Sequence, residues 1–243
     1  MDYPQIKITG DTSIAIIFGN EISEDINTRI RGFDSALAQA QIDGIFETVP
    51  AYCALTIHYD PEKIRYRQLR EKLEQLLAQS HSTEKVKTVV IEIPVLYGGE
   101  CGPDLGYVAE YNHMTPEDVV RIHTQAEYLI YMLGFTPGFS YMGGMDERIA
   151  TPRLKTPRVV IPGGSVGIAG KQTGIYPIDS PGGWQLIGRT PVLLYDANRE
   201  TPILLDAGMH VKFVPVDEAE YQRISSLVAQ GKYQCRTYVK EEA

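Results

Sequence analysis

His123 and Arg189 are, by type and setting, the side chains in this 243-residue chain best suited to move a proton or clamp an anion. His123 stands four residues before Glu127 in a stretch of helical apolar spacing. An i, i+4 His–Glu pair would orient the imidazole and support its charged form during proton transfer. A packed histidine satisfied by a neighbouring acid is the other reading. His58, His81, His113 and His210 are scattered over a strand, a linker, a helix end and a loop, without metal-ligand spacing. Arg189 follows the strand-like WQLIG, where a planar guanidinium could clamp a carboxylate or phosphate, or close a structural salt bridge. Lys171, Gln172 and Thr173 offer an ammonium, an amide and a hydroxyl to an anionic or lactam ligand; an exposed hairpin tip accounts for them equally.

Several familiar chemistries are excluded. GIAGKQTGIYP is no phosphate loop, because GxxxxGK[ST] needs a glycine where Ser165 stands and a hydroxyl where Gln172 stands. Ser165 in GGSVG and Ser180 in DSPGGW do not match the GxSxG elbow and have no evident base. Cys101 precedes a helix start, where a thiolate would be stabilised, but no partner base accompanies it. Cys53, Cys101 and Cys235 are odd in number and far apart, which fits neither a disulfide framework nor a zinc site and points to a reducing cytoplasm.

The elements that must position these residues centre on the run Gly134–Tyr195. It holds 12 of the 22 glycines and the only tryptophan, Trp184. Six basic residues against three acids make the run +3 in a chain of −8, leaving −11 elsewhere. Such glycine density lets backbone approach a ligand closely or take positive φ, and prolines stiffen the result. Phe135, Phe139, Tyr141, Tyr176 and Trp184 alternate with Gly and Pro, which favours a lined cleft over a closed core. The expectation is a rigid, mildly cationic, aromatic-lined groove.

Around that run, hydrophobic content of 43% with 22% charged residues is that of a globular protein. A pI near 5.2 without a basic tail argues against nucleic acid. No secretory signal or membrane-length apolar stretch is visible. PQIKITG and SIAIIFG read as strands, then Ile26, Ile30, Phe33 and Leu37 form one stripe of a helix capped by Ser23. IFETVPAY and CALTIHY are a second strand pair, and Tyr66, Leu69, Leu73 and Leu76 a second helix. With VKTVVIEIPV the order from SIAIIFG is βαββαβ, a ferredoxin-like pattern, although that last strand could instead open the next domain. Residues 80–87, polar and aperiodic, read as a linker. YGGECGPDLG leads into a helix, and Thr115 caps a long one running to Gly134, with Val119, Ile122, Ala126, Leu129, Ile130 and Leu133 as its buried stripe. Short apolar pieces between turns then give an all-β signature, followed by a late helix and a closing strand.

YGGECGPDLGYVA, the His123 helix, GFTPGFSYMGGMDERIATPR, PRVVIPGGSVGIAGKQTGIYPIDSPGGWQLIGRTP and the opening GDTSIAIIFGNEIS together resemble one family across nearly the whole chain. It is the 5-oxoprolinase B-subunit family, also described as allophanate hydrolase subunit 1 and as the sporulation kinase A inhibitor. Met142 and Met145 stand where relatives usually read Leu, a nearly volume-conserving change.

The resemblance implies an α+β protein, with a ferredoxin-like α/β domain over 1–86 and a cyclophilin-like β-barrel domain over 87–243. It implies one component of an enzyme that, together with the A and C subunits of 5-oxoprolinase, cleaves 5-oxo-L-proline (pyroglutamate) to L-glutamate with ATP hydrolysis, and that is inactive alone. It allows for Mg2+, although no acidic cluster marks a site. The alternative is a cytoplasmic inhibitor that docks on a sporulation sensor histidine kinase. The family's groove falls on His123, Phe135, Pro137, Gly138, Phe139, Tyr141, Gln172, Thr173, Tyr176, Ser180, Trp184 and Arg189. With Lys171 added from the residue reading, His123 and Arg189 are the catalytic candidates and the others the substrate-binding ones.

Overall fold

A computed structural model describes residues 3–79 and 88–240, so the expected linker and His81 lie outside the described residues. The chain divides into two compact units, Met1–Lys87 and Thr88–Ala243.

In the first unit β1 (Gln5–Gly10), β2 (Ser13–Ile17), β3 (Ile45–Pro50) and β4 (Ala54–Tyr59) form one antiparallel sheet in the order β1-β2-β4-β3. Helices α1 (Glu24–Ala40) and α2 (Tyr66–Gln79) contribute Ile26, Ile30, Phe33, Leu37, Leu69 and Leu73 to a core with Ile14, Ile16, Leu55 and Ile57. Alternation on β2 and β4 aims every second residue at the helices, and the i, i+4 stripes answer it. The place beside β2 that a following strand takes in the βαββαβ pattern is filled here by β1, which precedes it. Ser23 occupies the α1 N-cap with extended backbone but without a side-chain cap hydrogen bond.

The second unit is built on β5 (Thr88–Tyr97), the VVIEIPV strand. Helices α3 (Leu105–Tyr111) and α4 (Pro116–Gln125) follow, then β6 (Tyr128–Leu133), β7 (Ser140–Gly143), β8 (Arg158–Ile161), β9 (Ser165–Ala169), β10 (Gln172–Ile175), β11 (Ser180–Gly182), β12 (Gln185–Arg189), β13 (His210–Pro215), α5 (Glu218–Ala229) and β14 (Thr237–Lys240). The main sheet runs β10-β9-β12-β5-β13-β6-β7. One edge of β5 pairs parallel with β13; the other takes β14 and then β12. Because β10 returns beside β7, the sheet is nearly closed and barrel-like, with β8 and β11 as a separate ribbon. Ile93, Tyr128, Ile130, Val166, Ile168 and Phe213 fill its interior.

The long helix expected from Thr115 to Gly134 is corrected. Thr115 caps it, accepting from the Asp118 amide at 3.2 Å, but it ends at Gln125, and Tyr128–Leu133 is strand β6. YLIYML is apolar at every position, so it satisfies a buried strand as well as a helical stripe. The sheet decides: the Ile130 amide donates to Met209 O at 2.9 Å.

Candidate functional site

Phe139 is the hub of an aromatic cluster on the barrel. Its ring meets Phe135, Tyr141, Tyr176 and Trp184 edge-on at centroid distances of 5.4, 5.2, 5.7 and 5.7 Å. Edge-to-face pairs exploit the ring quadrupole and contribute about 0.5–1.5 kcal/mol each beyond burial. Phe139, Tyr176 and Trp184 are buried, whereas Phe135 is 61% exposed. The rings enclose a cleft of about 360 Å³ whose remaining wall is Arg153, Pro157, Pro181, Gly182 and Gly183.

The glycines make room for these rings. A Cβ on Gly182 would overlap the Tyr176 hydroxyl, and one on Gly174 would stand 3.1 Å from Trp184 Cζ3. At Gly167 it would lie 3.2 Å from Trp184 Cβ. Close approach of backbone to aromatic side chain accounts for these three positions.

A polar latch fixes the cleft wall. Arg158 donates from Nη1 to Trp184 O at 3.2 Å and from Nη2 to Asp104 Oδ1 at 2.7 Å. Asp104 Oδ2 accepts from the Leu186 amide at 2.6 Å. Asp104 stands at the N-cap of α3 without capping it, its carboxylate being committed to the sheet. Burial pushes the Tyr176 hydroxyl above its ordinary range, with Arg153 and Arg158 pulling the other way.

His123 is fully buried, stacked on Phe213 at 4.5 Å. Its Nδ1 lies 2.8 Å from the Tyr97 hydroxyl and its Nε2 2.7 Å from Thr173 Oγ1, which donates to Gly167 O at 3.1 Å. Since the Thr173 proton goes to Gly167, the network assigns the proton of the imidazole to Nε2, and Nδ1 accepts from Tyr97. Burial pushes the imidazole down to about 3, so it is neutral. The expected His123–Glu127 pair does not form. With α4 ended at Gln125, Glu127 leaves the helical register and instead accepts from the Tyr238 hydroxyl at 2.7 Å and pairs with Lys240 at 3.1 Å.

Arg189 lies apart from the aromatic cleft. It donates from Nε to Gly163 O at 3.1 Å and lines a second hollow of about 450 Å³ with Thr190, Tyr195 and Tyr221. Lys171 is exposed and paired with Glu147 at 2.6 Å. Gln172 opens β10, half-buried. Ser180 donates to Ile178 O at 3.3 Å, and Gly138 forms the β6–β7 turn at φ 83. The structure thus brings together Phe135, Phe139, Tyr141, Tyr176 and Trp184, and leaves Arg189, Lys171 and Ser180 outside that lining. Arg153, Arg158 and Asp104 join the cleft without any sequence motif that singles them out; the positive balance of the run hints only at the first two.

Cys101 is pushed up by burial, so no activated thiolate stands at α3. Among the described residues no group of three or more His, Cys, Asp or Glu could hold a metal ion, and Lys171 at the β9–β10 hairpin pairs with Glu147 on the surface. No helix among them is long and apolar enough to cross a membrane.

Residues 4–205 match the family model described as carboxyltransferase domain, subdomain C and D. The B-subunit of 5-oxoprolinase from Bacillus subtilis (strain 168) is 45% identical over 227 residues, covering 89% of this chain and 95% of its own. The solved structure of TTHA0988 has a TM-score of 0.75 at 38% identity over 84% of this chain, which spans only 40% of that longer one. The urea amidolyase of K. lactis shares the fold, with a TM-score of 0.78 at 23% identity over 98% of this chain and 16% of its own.

Proposed function

We propose that this chain, which belongs to the 5-oxoprolinase B-subunit family, acts with the A and C subunits as part of an ATP-dependent enzyme that opens 5-oxo-L-proline to L-glutamate. The observation that carries the reading is 45% identity with a protein of that name over nearly the full length of both, joined to a ring-sized aromatic cleft beside free positive charge.

The chemistry explains why several subunits are needed. A five-membered lactam is a resonance-stabilised, unstrained amide, and its hydrolysis runs forward only when coupled. Transfer of a phosphoryl group from ATP to the amide oxygen makes the carbon electrophilic. Water then attacks that carbon and the ring C–N bond breaks, leaving the free amine and an acyl phosphate, which a second water hydrolyses to the carboxylate and phosphate. Such a step needs cations and hydrogen-bond donors around developing negative charge. The cleft offers apolar walls and guanidinium suited to the lactam, and in this reading a partner brings the nucleotide. In this reading His123 is a positioning residue: through Thr173 it fixes β10, which runs under the Trp184 ring. Arg189 faces the second hollow, on the side we assign to the partner.

Reconstitution with candidate A and C subunits, following 5-oxoproline-dependent ATP hydrolysis, tests this. Turnover should vanish when the chain is omitted. Unchanged turnover would overturn the reading and favour the binding module that acts on a sensor kinase.

A further inference from the structure

We infer that Arg153 is the carboxylate anchor of the aromatic cleft, and that the cleft selects a small, flat, uncharged ring bearing one carboxylate; this rests on the function proposed above. Three of the six basic residues of the run are already in ion pairs. Arg148 pairs with Asp146 at 2.6 Å, Lys171 with Glu147 at 2.6 Å and Arg158 with Asp104 at 2.7 Å. Arg153 lines the cleft and makes no hydrogen bond or ion pair among the described residues. It is near enough to Tyr176 to influence that hydroxyl. The lining holds no carboxylate, so an anion entering beside Arg153 meets no repulsion.

The rest of the lining sets the ligand class. Phe139, Tyr176 and Trp184 offer ring edges and faces to an amide ring, which loses little on leaving water if its carbonyl and N–H keep hydrogen-bond partners. A carboxylate does not tolerate such walls unless a cation meets it, and the bidentate fork of Arg is suited to do so. Ring opening turns the amide into an ammonium and a second carboxylate, two new charges facing aromatic walls. The cleft therefore discriminates against the product as well as against a neutral lactam.

Trp184 is the only tryptophan and lines the cleft, so its emission reports occupancy. In the full chain, 5-oxo-L-proline should change Trp184 fluorescence saturably, and 2-pyrrolidinone and L-glutamate should bind at least about tenfold more weakly. Arg153→Gln should weaken 5-oxo-L-proline about 10- to 100-fold, leave 2-pyrrolidinone unchanged and leave the thermal midpoint unchanged, with Arg153→Lys in between. In the reconstituted complex the same variant should raise KM for 5-oxo-L-proline by at least about tenfold while kcat changes little. Wild-type affinity or KM in Arg153→Gln, no fluorescence response to 5-oxo-L-proline, or 2-pyrrolidinone binding as tightly overturns the inference. The function proposed above would survive any of these as long as turnover still required the chain.

Discussion

Asp104 and Arg158, 54 positions apart in sequence, meet at 2.7 Å and clamp the Trp184–Leu186 backbone between them. Both side chains are largely covered, at 13% and 29% exposure, so the ion pair is more than surface decoration. The Asp104 side chain does not cap its own helix; its oxygens serve Arg158 and the Leu186 amide.

Removing that clamp should loosen the cleft before it unfolds the barrel. Asp104→Ala leaves Arg158 and the Leu186 amide without their acceptor, at a cost of about 1–3 kcal/mol. Urea denaturation should show the loss, and Trp184 emission in the native state should shift to the red. A variant with wild-type stability and emission would mean that Arg158 holds Trp184 without Asp104.

Gly182→Ala tests whether glycine is there to seat an aromatic ring. The added methyl would overlap the Tyr176 hydroxyl and come within 2.8 Å of Ile161 Cδ1. Overpacking of this kind costs about 1–3 kcal/mol. Ring displacement should lower the affinity of the cleft for its ligand by more than the stability loss accounts for. Unaltered Trp184 fluorescence and ligand affinity in a folded Gly182→Ala protein would sink the packing account.

The elements legible in the sequence are those with a single consistent period. Ile26, Ile30, Phe33 and Leu37 read as one helix stripe, and the aromatics between Gly and Pro favour a lined cleft, although Phe139, Tyr176 and Trp184 are also buried in the core. Tyr128–Leu133 is illegible because six apolar residues satisfy two periods, and the pairing with β7 on one side and with β13 and its preceding loop on the other chooses between them. The consequence reaches the site: a helix carried through Glu127 gives His123 a carboxylate partner it does not have. Asp104, Arg153 and Arg158 lie inside motifs and a positive run that the sequence does show, but nothing in it singles out their roles. Each is an ordinary charged residue locally, and its meaning lies in what a distant strand brings to it.

His123 should be silent in the pH dependence of turnover and visible in that of stability. An unfolded histidine takes its proton near pH 6.5, whereas burial holds this one down to about 3. Between those values the unfolded state binds the extra proton. The contribution is therefore complete above about pH 6.5 and falls by about 1.4 kcal/mol per pH unit on the way down. Comparing urea midpoints of wild type and His123→Gln from pH 7.5 to 4.5 isolates this group, and the gap between them should narrow towards low pH. An imidazole resonance titrating near 6.5, or an acid limb of turnover lost in the variant, would restore His123 as an acid–base group.

Phe135 holds a left-handed backbone, φ 63, while its ring stands 61% exposed at the cleft mouth. For a non-glycine residue this conformation costs about 1–2 kcal/mol, and an exposed ring regains little by burial. The edge-to-face contact with Phe139 offsets only part of that strain, and the remainder points to use by a ligand. Phe135→Gly removes the strain and the ring together, and the glycine's own entropy cost of about 0.5–1 kcal/mol partly offsets the relief. The variant should therefore melt within about 1 kcal/mol of wild type, or slightly above it, while binding 5-oxo-L-proline several-fold more weakly in the Trp184 titration. A Phe135→Gly protein that loses more than about 2 kcal/mol would make the ring a structural plug rather than the cover of the site.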